Sequence, residues 1–243
     1  SYLIATPAGL IVIDGGFAET APQILANIRT LGFDPKKVKI LLNSHAHYDH
    51  AGGLKALKQA TGAKLLASRA DAPLLEDGGK SDPGGVGEFT PVKVDGLLSD
   101  GQVVELGGVK LTARLTPGHT RGCTSWSIPV RVDGRLRQAL SICSLTVHPL
   151  YRLTGKPTYV GQARDYEMSF AKIRSLPCDI FLAAHSGIFN ITAKRAAMRP
   201  GATNPFLDEA GCRAYVTTAE KDYRARLAAE KAEAKPPRQK SPA

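Results

Sequence analysis

The run Asn43-Ser44-His45-Ala46-His47-Tyr48-Asp49-His50-Ala51-Gly52-Gly53 limits what this chain can fold into more than any other stretch. Three imidazoles and a carboxylate crowd into six residues, directly behind the apolar run Val38 to Leu42. A buried strand that empties into a loop lets the first, third, fifth and sixth of these side chains converge from one turn of backbone. Imidazole nitrogen and carboxylate oxygen are donors that suit zinc. Four such donors together are not the pattern of a solitary core histidine, so the loop reads as a metal site.

Two later segments, each behind an apparent strand, add a histidine apiece: Pro117-Gly118-His119-Thr120 and Ala183-Ala184-His185-Ser186-Gly187. Taken in order, the three segments resemble the metal motifs of the metallo-β-lactamase superfamily, and the likeness runs from Tyr2 to Leu227. The resemblance implies an α/β fold, a four-layer αβ/βα sandwich of two mixed sheets flanked by helices, with metals at one edge between the sheets. It also implies two zinc ions. His45, His47 and His119 would hold one and leave a fourth position for water, while Asp49, His50 and His185 would hold the other. A hydroxide shared by both ions would be the nucleophile, since coordination lowers the pKa of water to about 7, with Asp49 orienting it.

The branch of the family turns on a carboxylate that is missing. Glyoxalase II enzymes, many lactonases and the ribonuclease branch carry a metal-bridging aspartate at a strand end between the second and third motifs. The corresponding stretch, Ala139 to Thr146, contains no carboxylate. Asp133 belongs to Asp133-Gly134, a hairpin turn, and Asp165 to the first turn of a helix. Having His50 after Asp49, and Ser144 near the position where two lactamase subclasses have a cysteine ligand, resembles the third subclass of class B. A one-residue slip would make Cys143 a ligand, but successive strand residues face opposite sides. By resemblance, Ser144 and Thr146 help hold the substrate carboxylate; the other reading makes them strand-end hydroxyls bonded to backbone. Tyr48 is expected to pack beneath the site and His148 to stand on its rim.

The activity implied is zinc-dependent hydrolysis of the β-lactam ring amide in penicillins, cephalosporins and carbapenems, with antibiotic resistance as its consequence. A lactonase or thioesterase of the same superfamily and a non-catalytic binding protein are the rival readings. Cys178 and Cys212 match a pair that forms a disulfide in this subclass, and Cys123 and Cys143 could pair across neighbouring strands. Four cysteines that can all be paired fit a periplasmic or secreted enzyme; four reduced thiols in a cytosolic hydrolase is the alternative. The chain starts inside a strand, and related mature enzymes carry a further N-terminal segment, so a leader is expected ahead of Ser1.

With 243 residues the chain fits one domain, read as residues 1–229, followed by a disordered basic tail over 230–243. The net charge is +10, of which +4 falls in residues 221–243, where seven basic and three acidic side chains stand. The remainder has no basic block interleaved with aromatics, so nucleic acid is not expected as a partner. No apolar run approaches the ~18 residues of a membrane span. The expected partner is a small anionic β-lactam, taken by a monomer.

Periodicity and turn residues predict a hairpin of Tyr2 to Ala5 with Leu10 to Asp14, and a helix over Pro22 to Leu31 stopped by Gly32. They then predict a strand over Val38 to Asn43, a helix after Gly53, a strand over Lys64 to Ala67, and a short helix over Ala70 to Leu75. Asp77 to Gly87 is expected to be a mobile loop near the cleft. Strands follow at Val103 to Leu106, Val109 to Leu115, Thr124 to Val130 and Leu136 to Ile142. A helix over Tyr166 to Leu176, a strand over Asp179 to Ala183 and a helix from Pro205 to Ala229 complete the pattern.

Overall fold

The computed structural model describes residues 1–233. Residues 234–243, which hold most of the expected tail, lie outside the described residues.

Apolar residues alternating along short strands build two five-stranded mixed sheets. The first runs β1 (Tyr2–Thr6), β2 (Gly9–Ile13), β3 (Val38–Leu42), β4 (Lys64–Ser68), β5 (Gly96–Leu98) in spatial order. Its β1–β2 hairpin is antiparallel and the other pairings are parallel. The second sheet contains β6 (Val103–Leu106), β7 (Val109–Leu115), β8 (Thr124–Val132), β9 (Arg135–Ile142) and β10 (Ile180–Ala183), in the spatial order β10-β9-β8-β7-β6. Here β10 pairs with β9 in parallel and the rest are antiparallel. Helices α1 (Ala21–Thr30), α2 (Tyr48–Ala51), α3 (Leu54–Thr61), α4 (Ala72–Asp77), α5 (Gln162–Ser175), α6 (Ile191–Ala197) and α7 (Glu209–Glu233) complete the chain.

Three apolar cores fill the spaces between four layers. Leu10 and Val12 of β2 pack with Ile28, Leu54 and Leu57 of the first helical layer, while their neighbours Ile11 and Ile13 face Leu111, Ala113 and Trp126 of the opposite sheet. The third core joins Leu140, Ile142 and Phe181 to Tyr166, Phe170, Val216 and Tyr223 of α5 and α7. One strand therefore serves two cores, because successive side chains leave it on opposite faces. A register shift between Leu10 and Ile11 against β3 puts Val38 and Leu41 in the outer core and Leu42 in the central one.

Several boundaries differ from the sequence reading. Strand β5 and helix α6 had no forecast. Helix α5 starts four residues before Tyr166, because its first turn, Gln162 to Asp165, is polar and falls outside the apolar spacing. Helix α7 starts at Glu209 rather than Pro205: Asn204 and Asp208 accept backbone N–H groups of Phe206 and Gly211 in local turns, and the helix begins only after them. It continues through Glu233, so residues 230–233 are helical. Asp133 and Gly134 form the expected turn, both with positive φ.

The C-terminal ends of β2 and β3 in one sheet, and of β7, β9 and β10 in the other, meet at one edge. The N–H of Thr124 donates across to the Ser44 carbonyl at 2.7 Å, joining the sheets there. Beneath this edge, backbone packs on backbone. A Cβ on Gly53 would lie 2.2 Å from the Gly15 carbonyl oxygen, so the segments after β2 and after α2 can meet only through glycine.

Candidate metal centre

The loop leaving β3 delivers His45 and His47, the first turn of α2 carries Asp49 and His50, the loop after β7 supplies His119, and the loop after β10 supplies His185. All six expected ligands arrive in one cluster. Donor atoms of His45, His47 and His119 lie within 4.8 Å of one another, and all three residues are buried. The second set is equally convergent. His50 Nε2 is 3.2 Å from both His185 Nε2 and Asp49 Oδ2, and His185 Nε2 is 3.6 Å from Asp49 Oδ2.

Four of the five rings are aimed by a partner on the other nitrogen. His119 Nδ1 donates to the Thr146 carbonyl at 2.8 Å, leaving Nε2 for the cluster. His47 Nε2 meets the Tyr151 hydroxyl at 2.8 Å, leaving Nδ1. The Ser44 hydroxyl donates to Asp14 Oδ2 at 2.7 Å and accepts from His45 Nδ1 at 3.1 Å. His45 Nε2 is then buried with no hydrogen-bond partner, a condition that a bound cation would relieve. The same Asp14 Oδ2 takes His50 Nδ1 at 3.1 Å, and Oδ1 takes the Ser44 N–H at 2.6 Å. One carboxylate thus orients a ligand in each set.

Electrostatics separate the two sets. Burial holds the His47 imidazole down at about 4 and His119 at about 3, and drives His45 well below its ordinary value; neighbouring histidines push the same way. These rings are neutral at pH 7, the state in which imidazole can coordinate a metal. Burial also opposes a charge on His50, but its hydrogen bonds to Asp14 and Asp49 prevail and push it up to about 9. Burial would raise the Asp49 carboxyl, yet His50 brings it down to about 2, and Asp14 is likewise lowered. A charged His50 beside an ionised Asp49 is the arrangement that a cation among Asp49, His50 and His185 would replace. The neutral nitrogen trio, the unpartnered Nε2 and the carboxylate-bearing trio fit zinc in chemistry and convergence.

The other expected residues are placed as follows. The Ser144 and Thr146 hydroxyls lie 3.0 Å apart, just past the end of β9, so they share a face. Ser144 is buried and Thr146 exposed; the Thr146 N–H also donates to the Ser144 hydroxyl at 3.3 Å, so part of the alternative backbone role is present too. Cys143 is not a ligand: it is disulfide-bonded to Cys123, with its sulfur 3.6 Å from His45 Nδ1. Cys178 and Cys212 form the second disulfide. His148 stands at the rim, its ring 6.1 Å from that of His47 and 5.2 Å from that of Tyr151. Tyr48 does not pack beneath the site. It is 41% exposed, with its ring against Phe17, because position 48 opens α2 on the solvent side. Asp165 lies in the first turn of α5, as expected, and accepts from the Tyr159 hydroxyl.

Three contributors have no counterpart in the sequence reading. Asp14 had a signal: an acid ending a buried strand ahead of Gly15-Gly16, held at φ 65°, where aspartate is one of the few tolerated side chains. Asp71 had none. It is fully buried, and its carboxylate accepts from Ala46 N–H, the Thr120 hydroxyl and Gly122 N–H, which ties the first metal loop to the second. Tyr151 lies in a loop after β9 and likewise offered no local pattern.

With this geometry in place, comparisons identify the family. The model of the metallo-β-lactamase superfamily matches residues 1–185, and the chain belongs to that superfamily. The FEZ-1 metallo-β-lactamase from Legionella gormanii superposes with a TM-score of 0.92 at 42% identity, covering 95% of this chain and 89% of that one. BJP-1, a subclass B3 metallo-β-lactamase of Bradyrhizobium japonicum, gives 0.91 at 41% identity, covering 96% and 89%. Among curated relatives, a probable metallo-hydrolase of Burkholderia pseudomallei is 29% identical over 65% of this chain, and a hydroxyacylglutathione hydrolase of Pseudomonas aeruginosa is 30% identical over 72%. Those two matches span 54% and 55% of the relatives' own lengths.

Proposed function

Taking superfamily membership as the premise, we propose that the chain is a two-zinc β-lactamase of the B3 type, hydrolysing the ring amide of β-lactam antibiotics, and that the chain acts in the periplasm or outside the cell to confer resistance. The observation that carries this reading is the end of β9. A thioesterase of the hydroxyacylglutathione hydrolase kind would need a bridging carboxylate there, whereas this chain has Cys143, closed in a disulfide, followed by Ser144. The likeness to FEZ-1 and BJP-1 supports the same reading, and the two disulfides support an oxidising compartment.

His45, His47 and His119 would hold the first zinc, and Asp49, His50 and His185 the second. Bound there, zinc lowers the pKa of coordinated water and polarises the amide carbonyl. The protein's own part is orientation. Asp49 is ionised at neutral pH, so its carboxylate can accept a hydrogen bond from water in the cluster and orient it for attack. Asp14 and the Thr146 carbonyl keep the ring nitrogens turned inward. The Ser144 and Thr146 hydroxyls take the carboxylate that β-lactams carry beside the ring nitrogen, with Thr146 nearer solvent.

The test is a comparison of substrates with and without chelator. Turnover of a carbapenem or cephalosporin that is lost on chelation and restored by zinc supports the proposal. Efficient hydrolysis of a hydroxyacylglutathione or an acyl-lactone, with the β-lactams left intact, would replace it by the thioesterase or lactonase reading.

A further inference from the structure

Beside His119 and Tyr151 a cavity of about 510 Å³ opens away from the metal cluster. Pro73, Leu74, Pro83 and Val160 give it apolar walls, and Arg121 lies in its lining. The position of this arginine is built with care. The residues on either side of it are fastened to the buried Asp71 carboxylate, by the Thr120 hydroxyl and the Gly122 N–H, each at 2.8 Å. At Gly122 a Cβ would lie 2.1 Å from the Ser68 hydroxyl oxygen, so the backbone there is pressed against its support. The guanidinium then lies 4.7 Å from the centre of the Tyr159 ring, and that ring is fixed in turn by its hydroxyl, which donates to Asp165 at 3.0 Å.

Among the described residues, no carboxylate comes within ion-pair distance of Arg121. A permanently charged guanidinium, stacked on an aromatic ring and lacking an anion, is prepared to receive one. Two acids near Arg121 are already engaged. Asp71 accepts the three hydrogen bonds given above, and Asp82, which also lines the cavity, accepts the N–H groups of Gly84 and Val86 at 3.3 and 2.9 Å. Resting on the β-lactamase reading, we propose that this cavity receives the acyl substituent of the substrate and that Arg121 selects substituents carrying an aromatic or aliphatic body with a carboxylate. The apolar walls take the body, and the guanidinium takes the anion.

A matched series of penicillins reads this directly: benzylpenicillin, its α-carboxyl derivative and its α-amino derivative differ only at the carbon that would approach Arg121. In the zinc-loaded wild type, the ratio of kcat/KM for the carboxyl compound to that for benzylpenicillin is expected to fall about tenfold on Arg121→Gln, mainly through KM. Arg121→Lys should keep part of the ratio, since charge remains while the planar stacking is lost, and Tyr159→Leu, which removes the seat, should lower it by a smaller factor. The amino-to-benzyl ratio should move the opposite way. Taking ratios within each variant cancels any general loss of activity. A carboxyl-to-benzyl ratio unchanged in Arg121→Gln overturns the proposal, and a wild type that prefers the amino compound assigns the cavity to Asp82 instead. Should none of the three be hydrolysed, the β-lactamase reading fails separately, and calorimetric binding of the same compounds to wild type and Arg121→Gln still decides the role of Arg121.

Discussion

The two halves of the metal cluster are made differently. His45, His47 and His119 are buried, neutral, and carried by loops that Asp71 fastens together, and the Cys123–Cys143 disulfide ties the second of these loops to the end of β9. Asp49, His50 and His185 combine opposite charges, and the His185 side chain is 51% exposed. The first half is a buried socket of neutral nitrogens. The second is held by an acid–base pair whose proton must be displaced before a cation can enter. Burial supplies neutral ligands without help, whereas a carboxylate in the shell makes metal uptake a proton exchange.

The hardest blow to this contrast is Asp49→Ala. It should lower β-lactam turnover by at least about a hundredfold while one zinc per chain stays in the three-histidine half, as read by elemental analysis. Near-native turnover would remove Asp49 from the mechanism. Asp14→Asn acts one shell further out and should weaken second-site zinc affinity by roughly ten- to a hundredfold, with a smaller effect on the first, measured by competition with a chromophoric chelator. Equal losses at both sites would mean that Asp14 works through Ser44 and His45 as strongly as through His50.

A pH titration of zinc affinity sharpens the comparison further. His50, pushed up to about 9, is protonated at pH 7 and must lose that proton on coordination, so second-site affinity should rise about tenfold per pH unit between pH 6 and 8. His47 and His119, held at about 4 and about 3, are already neutral there, and first-site affinity should stay flat. Parallel slopes for the two sites would contradict the charge assignment. The smallest effect is expected from replacing Ser144 and Thr146 together by Ala, which should raise KM for a cephalosporin about fivefold and change kcat less, because those contacts exist in ground and transition states alike. An unchanged KM would return both hydroxyls to the backbone role that the Thr146 N–H contact already shows in part.

The six side chains that meet in the cluster could be picked out from the sequence because metal-binding residue types sit at short spacings there: His45 to His50 span six residues, and His119 and His185 each follow a strand. The four layers were legible for a related reason, since β2 and β3 alternate or run apolar as buried strands do. What escaped reading acts across the fold. Asp71 touches Ala46 and Gly122, neither of which is near it in the chain, and nothing beside it sets it apart from other acids. Tyr151 reaches His47 from 104 residues away. Strand β5 is three residues long, too short for a periodicity, and Tyr48 was misplaced because two flanking ligands say nothing about which way the residue between them turns.

The glycine joint under the metal edge has a consequence for how a lineage bearing this fold can vary. Where Gly53 rests on the Gly15 carbonyl there is no room for even a methyl group, so single substitutions at that joint meet backbone rather than a side chain that could yield. The walls formed by Ser81 to Pro83 and Pro157 to Val160 present side chains to the cavity instead. A substitution at the joint must therefore move the backbone that carries the reactive edge, whereas one in those walls meets side chains first.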